Sequence, residues 1–510
     1  MPRTPTDQSR GQTGGTAADQ DVPAPREINR IIIPILFVAA AAALRLFRLG
    51  EQSLWNDEMF SFDVAGADLS AIQTKLVTSY HHPPLYFYLL HSSIGMFGRN
   101  AWALRFPSAV FGSLTVGLLY VAGKRIFDRP TGTAAAALCL VAPFHLAYSQ
   151  EGRPYALAGF LCLLSFTSMM SSIREKRSGW SGSYLCHLLA SLALLYTHHW
   201  GIFVLAGQAG YVFLFANQDR QLRQRFLIQF SVLALLYLPE AVVLREQASS
   251  IPATGWFWAE HPSPGEICNV GQAFIGTYFK MASSVFDSPL LMKIVAGAAA
   301  AALFAQIVYS SFRRTGEARL QAVVVCSTVA LLIPFAISFF RPEIFLWYRY
   351  TVIVYPLVCL TAGGFLKGRF RNIALFALAL LLLTSAINAV RYYSWSKSNV
   401  RQIAGYVDTV TRGDSVRFII RPQSFAPLLN YYYQGKVTQV DETYLDKPLG
   451  EMVDTASAFA YISIDIPSTI RRYMDGHFDK TSERIFPGEA HMGMRVGIYR
   501  QKPEEIPEDE

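Results

Sequence analysis

Residues 371–390 read RNIALFALALLLLTSAINAV, and this apolar stretch has the length of about 20 residues that a helix needs to cross a bilayer. Ten similar runs precede it, at residues 31–48, 102–122, 132–150, 155–173, 184–197, 200–217, 225–244, 290–311, 319–340 and 348–366. Of the 510 residues, 52% are hydrophobic and only 16% are charged, whereas soluble domains have about 25% charged residues. The sequence therefore predicts a membrane all-α protein, a polytopic helical bundle of about eleven spans.

Lysine and arginine mark one side of this bundle, since basic clusters in short connections face the cytoplasm. The clusters are Lys124-Arg125 with Arg129, Arg174 with Lys176-Arg177, Arg220 with Arg223 and Arg225, Arg313-Arg314 with Arg319, and Lys367 with Arg369 and Arg371. The connections between them are much poorer in basic residues. This pattern predicts a cytoplasmic N-terminus, a long outer loop at residues 49–101, and about 120 outer residues after Arg391.

One apolar stretch, residues 82–90, lies inside the long outer loop and begins with Pro83-Pro84. Counting it as a span would invert the side of every later basic cluster. It is therefore predicted to be a juxtamembrane or re-entrant helix. The paired prolines favour a helix start, because proline lacks the N–H group that a first turn leaves unpaired.

The two ends of the chain differ from the bundle. Residues 1–28 are rich in Pro, Gly, Thr, Asp and Gln, which predicts a disordered cytoplasmic tail before a transmembrane domain at 29–391. Residues 392–500 predict a small periplasmic α/β domain, because strand and helix patterns alternate there. Its predicted helices are 402–410, 427–433 and 469–475, and its predicted strands are 415–421, 436–440, 458–464 and 496–500. An acidic tail, 501–510, follows.

The composition excludes several classes of function. The basic residues lie mostly in the short connections, where they set topology, so nucleic acid is not an implied partner. The sequence contains neither a phosphate-binding GxxxxGK[ST] loop nor a CxxC zinc pattern. Five of the six cysteines fall inside apolar runs, where they are expected to act as small buried hydrophobes. Only Cys268 falls in an outer loop, so the outer parts are expected to fold without disulfides.

Acidic residues follow two of the apolar runs, both on the predicted outer side. Asp57 and Glu58 come after the first run, and Glu151 comes after the third, two residues before Arg153. Acidic groups near lipid are costly unless they line a watered cavity, so they indicate function. The alternatives are a solvated acidic loop for the first pair and a structural ion pair between Glu151 and Arg153. Arg153 is also suited to bind a phosphate through its bidentate fork.

Histidines and one further arginine are the remaining candidates. His82 is a possible metal ligand or phosphate donor, or a histidine of the helix cap or interface. His198 and His199 end a run beside Trp200, where packing in the interfacial belt is the expected use. Arg349 lies between aromatic residues on the outer side, and it either snorkels or binds an anionic lipid head group. A divalent cation is possible beside these groups, but no ligand spacing identifies one.

These residues form an ordered series along the chain. The series runs Asp57-Glu58, His81-His82-Pro83-Pro84-Leu85-Tyr86, Leu104-Arg105-Phe106-Pro107-Ser108-Ala109, Ser149-Gln150-Glu151-Gly152-Arg153-Pro154-Tyr155, Tyr196-Thr197-His198-His199, and Tyr348-Arg349-Tyr350 before Pro356. It resembles the bacterial integral-membrane glycosyltransferases of the GT-C fold, in the branch related to protein O-mannosyltransferases and to the lipid A aminoarabinose and galacturonic-acid transferases. The resemblance is densest over residues 31–220.

The resemblance implies an inverting glycosyltransferase of the bacterial inner membrane. It would move a sugar from a polyprenyl-phosphate carrier to a periplasmic glycan, protein or lipid acceptor. By this likeness Asp57 is the general base, and Glu58 and Glu151 are further catalytic carboxylates. The residues implied to bind substrate are His81, His82, Tyr86, Arg153, Tyr155, His199 and Arg349. The aminoarabinose transferases have an acidic residue and a lysine before the double proline, so His81-His82 weakens the expectation of the same donor.

A transporter or flippase of lipid-linked sugars is the rival hypothesis, and a non-catalytic assembly protein is a third. Transporters usually carry charges near the bilayer midplane and contain internal repeats. In this sequence the carboxylates gather at one predicted face, and no repeat is evident. The sequence therefore favours an enzyme.

Overall fold

The computed structural model describes residues 25–80, 82–175, 181–215, 220–254, 262–281, 284–312, 318–340, 344–364, 366, 371–395, 398–411, 417–421, 426–433, 458–463, 478–486 and 494–502. Helices dominate this part of the chain. Helix α1 spans Pro25–Leu46. It includes four residues of the predicted tail at 1–28, and the rest of that tail lies outside the described residues.

The long predicted loop at 49–101 contains three short helices. Helix α2 spans Asn56–Ala65, α3 spans Leu69–Lys75, and a π-helical turn continues α3 over Leu76–Tyr80. Helix α4 spans Leu85–Phe97 directly after Pro84. The helix predicted at 82–90 is therefore confirmed, and its start after the two prolines has the expected cause.

A helix lies within every predicted apolar run of the bundle. The bundle helices are α5 Ala101–Ile126, α6 Arg129–Val141, α7 Pro143–Ser149, α8 Tyr155–Glu175, α9 Gly182–Leu195, α10 Gly201–Leu214, α11 Arg220–Thr254, α12 Glu266–Phe274, α13 Leu290–Phe312, α14 Ala318–Ile337, α15 Tyr355–Gly364 and α16 Arg371–Ser394. A hairpin of β1 (Tyr278–Met281) and β2 (Ser284–Asp287) joins α12 to α13. The sequence analysis did not predict this hairpin.

The predicted number of spans is tested only in part by the described residues. Among the described residues, α5, α8, α11, α14 and α16 are long and apolar enough to cross a membrane. The run at 132–150, predicted as one span, is the pair α6–α7, bent by 64° at Ala142. Pro143 starts α7 and cannot donate to the α6 ladder, which explains the break. Four shorter apolar helices accompany these, so the predicted count of eleven is not confirmed.

Small residues allow the bundle helices to approach closely. A Cβ atom on Gly123 of α5 would lie 2.5 Å from the Cα of Gly132 on α6. Large apolar side chains instead stay exposed around the outside, as Phe376 and Val390 of α16 do at 67% and 72%. Small residues between helices and apolar side chains outside are the arrangement that lipid favours.

The C-terminal part combines helices with a four-stranded sheet. Its helices are α17 Val400–Thr411 and α18 Ala426–Tyr432, and its strands are β3 Arg417–Arg421, β4 Ala458–Ser463, β5 Phe478–Phe486 and β6 Met494–Gln501. The sheet order is β3-β4-β6-β5, with β3 parallel to β4 and the other pairs antiparallel. The predicted helices at 402–410 and 427–433 and strands at 415–421, 458–464 and 496–500 are confirmed.

Strand β5 was missed, because only its end residues, Phe478 and Phe486, are buried and no apolar alternation marks it. The predicted strand at 436–440 and helix at 469–475 lie outside the described residues. In the predicted acidic tail, Gln501 ends β6, and residues 503–510 lie outside the described part.

Candidate active site

Asp57 occupies the first turn of α2, where the partial positive charge of the helix N-terminus favours a carboxylate. Its Oδ2 atom accepts a hydrogen bond of 2.8 Å from Nη1 of Arg349. The same oxygen lies 3.9 Å from Nη2 of Arg153. The Asp57 side chain is 17% exposed, whereas those of Arg153 and Arg349 are 7% and 10% exposed. Two nearly buried cations therefore flank one carboxylate that solvent still reaches.

Arg349 reaches this carboxylate from the segment that precedes a 3-10 turn at Tyr350–Ile353. Its guanidinium lies 5.2 Å from the centre of the Trp55 ring and 5.5 Å from that of Tyr348. Cation–π contacts of this kind stabilise a guanidinium that has lost its water. The two rings therefore fix the direction in which Arg349 presents its charge.

Arg153 lies in the turn between α7 and α8 and makes several contacts. Its Nη1 donates to the carbonyl oxygen of Asp57 and to Oγ of Ser61, each at 3.3 Å. Burial lowers the pKa of Arg153, whereas Tyr155 and Asp57 raise it, and the net shift is upward. Arg153 therefore stays cationic while holding the first turn of α2. Ser61 was not predicted as a site residue, although its position four residues after Asp57 places both on one helix face.

His82 lies beside the site and contacts Arg153. The Nε2 atom of His82 lies 2.7 Å from Nη2 of Arg153. Arginine only donates, so Nε2 of His82 accepts this hydrogen bond from Arg153. Its neighbour His81, the other predicted histidine, lies outside the described residues.

Glu58 has an environment unlike that of Asp57. Both carboxylate oxygens accept hydrogen bonds of 2.7 Å from the guanidinium of Arg105, and Oε1 also accepts from the N–H of Gly152 at 2.9 Å. Glu58 is 0% exposed and Arg105 is 1% exposed. Glu58 is therefore a buried carboxylate paired with Arg105, and its catalytic role stays a prediction.

Tyr86 and His199, two predicted substrate-binding residues, both have protein partners. The hydroxyl of Tyr86 lies 2.7 Å from Oγ of Ser108, which donates to the carbonyl oxygen of Arg153. Tyr86 is fully buried and supports the turn that carries Arg153, and its substrate-binding role stays a prediction. Nδ1 of His199 lies 3.1 Å from the hydroxyl of Tyr237, which places His199 on the α11 side of the bundle.

Glu151, Tyr155 and His198 are buried beside this site. Glu151 is 1% exposed and adjoins Gly152, and its catalytic role stays a prediction. The Tyr155 ring packs edge-on against Tyr148 with centroids 5.2 Å apart. His198 was expected in the interfacial belt, but it is 4% exposed and its ring centre lies 5.8 Å from that of His82.

The imidazole of His198 is held neutral. Its Nδ1 accepts a hydrogen bond of 3.1 Å from the backbone N–H of Trp200. Burial lowers the pKa of His198 well below its usual value, and the nearby His199 and Arg153 lower it further. His198 therefore adds no positive charge to the site at neutral pH.

The divalent metal left open by the sequence has no ligand set in the described part of the chain. No group of three or more His, Cys, Asp or Glu side chains there could hold a metal ion. Nε2 of His82, the predicted ligand, instead faces Arg153. The chemistry available from the described residues is one carboxylate between two guanidinium groups.

Comparisons with known proteins agree with this architecture. Residues 81–242 match the model of the dolichyl-phosphate-mannose-protein mannosyltransferase family. A 171-residue segment is 23% identical to the protein named "Putative mannosyltransferase YkcB" from Bacillus subtilis strain 168, and covers 30% of this chain. That segment spans only 22% of the length of YkcB.

Solved structures share the fold over most of the chain. The apo structure of ArnT from Cupriavidus metallidurans superposes with a TM-score of 0.57 and 13% identity, over 92% of this chain and 98% of ArnT. The Archaeoglobus fulgidus oligosaccharyltransferase, in complex with Zn and sulfate, gives a TM-score of 0.50 and 14% identity, over 83% of this chain and 67% of the other. A structure of ArnT bound to undecaprenyl phosphate superposes less well, with a TM-score of 0.38 and 14% identity, over 91% and 97%.

The chain therefore shares the fold of ArnT from Cupriavidus metallidurans. Residues 81–242 are similar to the dolichyl-phosphate-mannose-protein mannosyltransferase family, which agrees with the resemblance that the ordered motifs predicted.

Proposed function

We propose that the chain is an inverting glycosyltransferase that moves a sugar from a polyprenyl-phosphate carrier to a periplasmic acceptor. The observation that carries the proposal is the position of Asp57, whose Oδ2 lies 2.8 Å from Arg349 and 3.9 Å from Arg153. A site for this reaction needs a base for the acceptor and cations for the leaving phosphate. Asp57 supplies the base, and the guanidinium groups of Arg153 and Arg349 supply the cations, each within 3.9 Å of Oδ2 of Asp57.

The carrier phosphate is proposed to bind the two guanidinium groups. Arginine binds phosphate oxygens in pairs, and each charge-assisted hydrogen bond is stronger than a neutral one. Arg349 donates a hydrogen bond to Asp57. A bound phosphate would compete for that guanidinium and release the carboxylate toward the acceptor. ArnT, whose apo form shares this fold, has been crystallised with undecaprenyl phosphate, which supports a carrier of this class.

The transfer itself is then a single displacement. The acceptor oxygen or nitrogen attacks the anomeric carbon while the bond from that carbon to the phosphate oxygen breaks. The acceptor proton passes to Asp57, and the electron pair of the broken bond stays on the carrier phosphate beside Arg153 and Arg349. Attack opposite the leaving group inverts the anomeric centre. The sugar, and the choice among glycan, lipid A, protein or lipid acceptors, depend on pocket details that relatives of one fold do not share.

The setting of the reaction is proposed from the charge pattern. Basic clusters predict that the turns carrying Asp57 and Arg153 face away from the cytoplasm. We therefore propose an inner-membrane enzyme whose C-terminal sheet lies in the periplasm. The proposed domain limits remain 29–391 for the membrane part and 392–500 for the sheet-containing part.

The test measures sugar transfer by the purified protein in detergent. A panel of radiolabelled undecaprenyl-phosphate sugars is offered with an envelope extract as acceptor, and Asp57→Asn is compared with wild type. A general base contributes about 10²- to 10⁴-fold, so Asp57→Asn is expected to lose that factor. Asp63→Asn is the matched control, because Asp63 lies on the same helix but is 51% exposed and paired with Lys75 at 2.7 Å.

Two results would contradict the proposal. Transfer by Asp57→Asn at the wild-type rate removes the assignment of the base. Movement of labelled donor between the leaflets of proteoliposomes, without transfer, supports the flippase instead. The flippase is disfavoured because the basic clusters predict that Asp57, Arg153 and Arg349 lie at the outer face, while transporter sites usually lie near the midplane.

A further inference from the structure

Residues 49–54, called here the lead segment, join α1 to the helix that carries Asp57. Arg105 of α5 contacts this segment from the buried side. Besides its pair with Glu58, Arg105 donates to the carbonyl oxygens of Leu49, Gln52 and Ser53 at 3.0, 3.0 and 3.1 Å. All five N–H groups of this guanidinium are therefore used. The membrane bundle thus holds three of the first five carbonyls of the lead segment.

Arg401 of α17 contacts the same segment from the exposed side. Its Nη1 donates to the carbonyl oxygen of Glu51 at 2.7 Å, and its Nη2 donates to that of Gly50 at 3.1 Å. The backbone N–H of Arg401 also donates to Oγ of Ser53 at 3.2 Å. The carbonyl oxygens of Gly50 and Glu51 are the two that Arg105 does not contact. Two arginines, one from the bundle and one from the C-terminal part, thus take five successive carbonyl oxygens.

Two tyrosines of α18 extend this contact to Asp57's own helix. The N–H of Leu54 donates to the hydroxyl of Tyr432 at 2.7 Å, and the guanidinium of Arg401 lies 5.1 Å from the centre of the Tyr432 ring. The neighbouring Tyr431 packs against Phe62 of α2 with ring centroids 5.6 Å apart. The C-terminal part therefore contacts both the lead segment and α2.

We infer that Arg401 and Tyr432 are positioning residues for Asp57, which rests on the proposed function of that carboxylate. Arg153 and Arg349 belong to the bundle. Asp57 lies on α2, directly after the lead segment, and this segment is hydrogen-bonded to both the bundle and the C-terminal part. The distance from Asp57 to the phosphate-binding cations therefore depends on the hydrogen bonds that Arg105 and Arg401 donate to the lead segment. A displacement of about 1 Å costs about 100-fold in rate, so loss of these hydrogen bonds would lower turnover without removing any group that contacts substrate.

The test uses the full-length protein with Arg401→Ala, Arg401→Lys and Tyr432→Phe. Arg401 is exposed, and the buried Arg105 contacts remain, so these variants are expected to fold. Arg484→Ala is the matched control, because that guanidinium also lies over aromatic rings, 5.1 Å from Phe486, but on strand β5. Hydrogen–deuterium exchange of residues 49–58 is measured with turnover in the donor panel and with binding of undecaprenyl phosphate.

The inference predicts a specific set of results. Exchange in residues 49–58 rises about fivefold in Tyr432→Phe, which loses one hydrogen bond, and at least as much in Arg401→Ala, which loses two. In Arg401→Ala, kcat falls about 10- to 100-fold, with KM and undecaprenyl phosphate binding unchanged because the two cations remain. Arg401→Lys recovers part of the loss, since a lysine cannot span two carbonyls with separate nitrogens. The control matches wild type throughout.

Unchanged exchange in residues 49–58, or unchanged kcat in Arg401→Ala, would overturn the inference. An equal loss in Arg484→Ala would also overturn it, because the effect would then reflect general destabilisation. Failure of the proposed function gives a different result: Asp57→Asn keeps its activity while the exchange of residues 49–58 still depends on Arg401. If no donor in the panel is turned over, unchanged exchange of residues 49–58 in Arg401→Ala still overturns the inference.

Discussion

Removing the guanidinium of Arg105 tests the structural assignment of Glu58. The perturbation is Arg105→Met, which keeps an apolar side chain of similar length and deletes the charge. Glu58 is 0% exposed and accepts two hydrogen bonds of 2.7 Å from Arg105. The variant keeps the hydrogen bond of 2.9 Å from the N–H of Gly152 to Glu58, removes both guanidinium donors, and frees three carbonyl oxygens of the lead segment.

The expected magnitude follows from burial of the charge. Removing one partner of a buried ion pair costs about 3–5 kcal/mol, because the other charge stays uncompensated. An exposed pair contributes about 0–1 kcal/mol. The pair of Lys75 and Asp63 is of that second kind, with side chains 36% and 51% exposed. Lys75→Met is therefore the matched control, with an expected loss below about 1 kcal/mol.

The assay is reversible unfolding in mixed micelles, followed by helical circular dichroism. The free energy of unfolding is compared for wild type, Arg105→Met, Lys75→Met and the double variant Glu58→Met with Arg105→Met. The double variant is expected to recover part of the loss, because no buried charge then remains. A loss for Arg105→Met no larger than that of Lys75→Met would refute the view that Glu58 is a buried structural carboxylate.

Two further predictions concern the site. Arg349→Lys is expected to weaken binding of undecaprenyl phosphate about 10-fold, measured by microscale thermophoresis, because the planar fork is lost while the charge remains; unchanged affinity would remove Arg349 from the phosphate site. The pKa of His198 is lowered in the folded state. Below the unfolded pKa of about 6.5, the unfolded chain therefore binds a proton that the folded chain does not. As the pH falls through this range, the free energy of unfolding decreases by up to about 1.4 kcal/mol per pH unit. His198→Gln is therefore expected to lose less stability than wild type between pH 7 and pH 5, measured by the same unfolding assay, and equal losses would contradict the assignment.

The apolar runs and the basic clusters allowed most of the helical bundle to be predicted. Helices need about 20 apolar residues to cross a membrane, so each run identified a helix without knowledge of its neighbours. The predicted start of α4 after Pro83-Pro84 was correct for a similar local reason. The break at Ala142 was missed, although Pro143 could have indicated it. Strand β5 was also missed, because it forms by pairing with β6 and its own residues show no apolar alternation.

The candidate site was predictable only in its residue types. Charges next to lipid are costly wherever they occur, so the sequence alone was enough to select Asp57, Arg153 and Arg349 as candidates. Apart from the family resemblance, nothing in it separated Asp57 from Glu58, because adjacent residues on a helix point about 100° apart and their surroundings come from distant segments. Tertiary structure decided that one carboxylate meets Arg349, 292 residues away, and that the other meets Arg105. Which carboxylate stays accessible depends on these long-range contacts, and no local pattern encodes them.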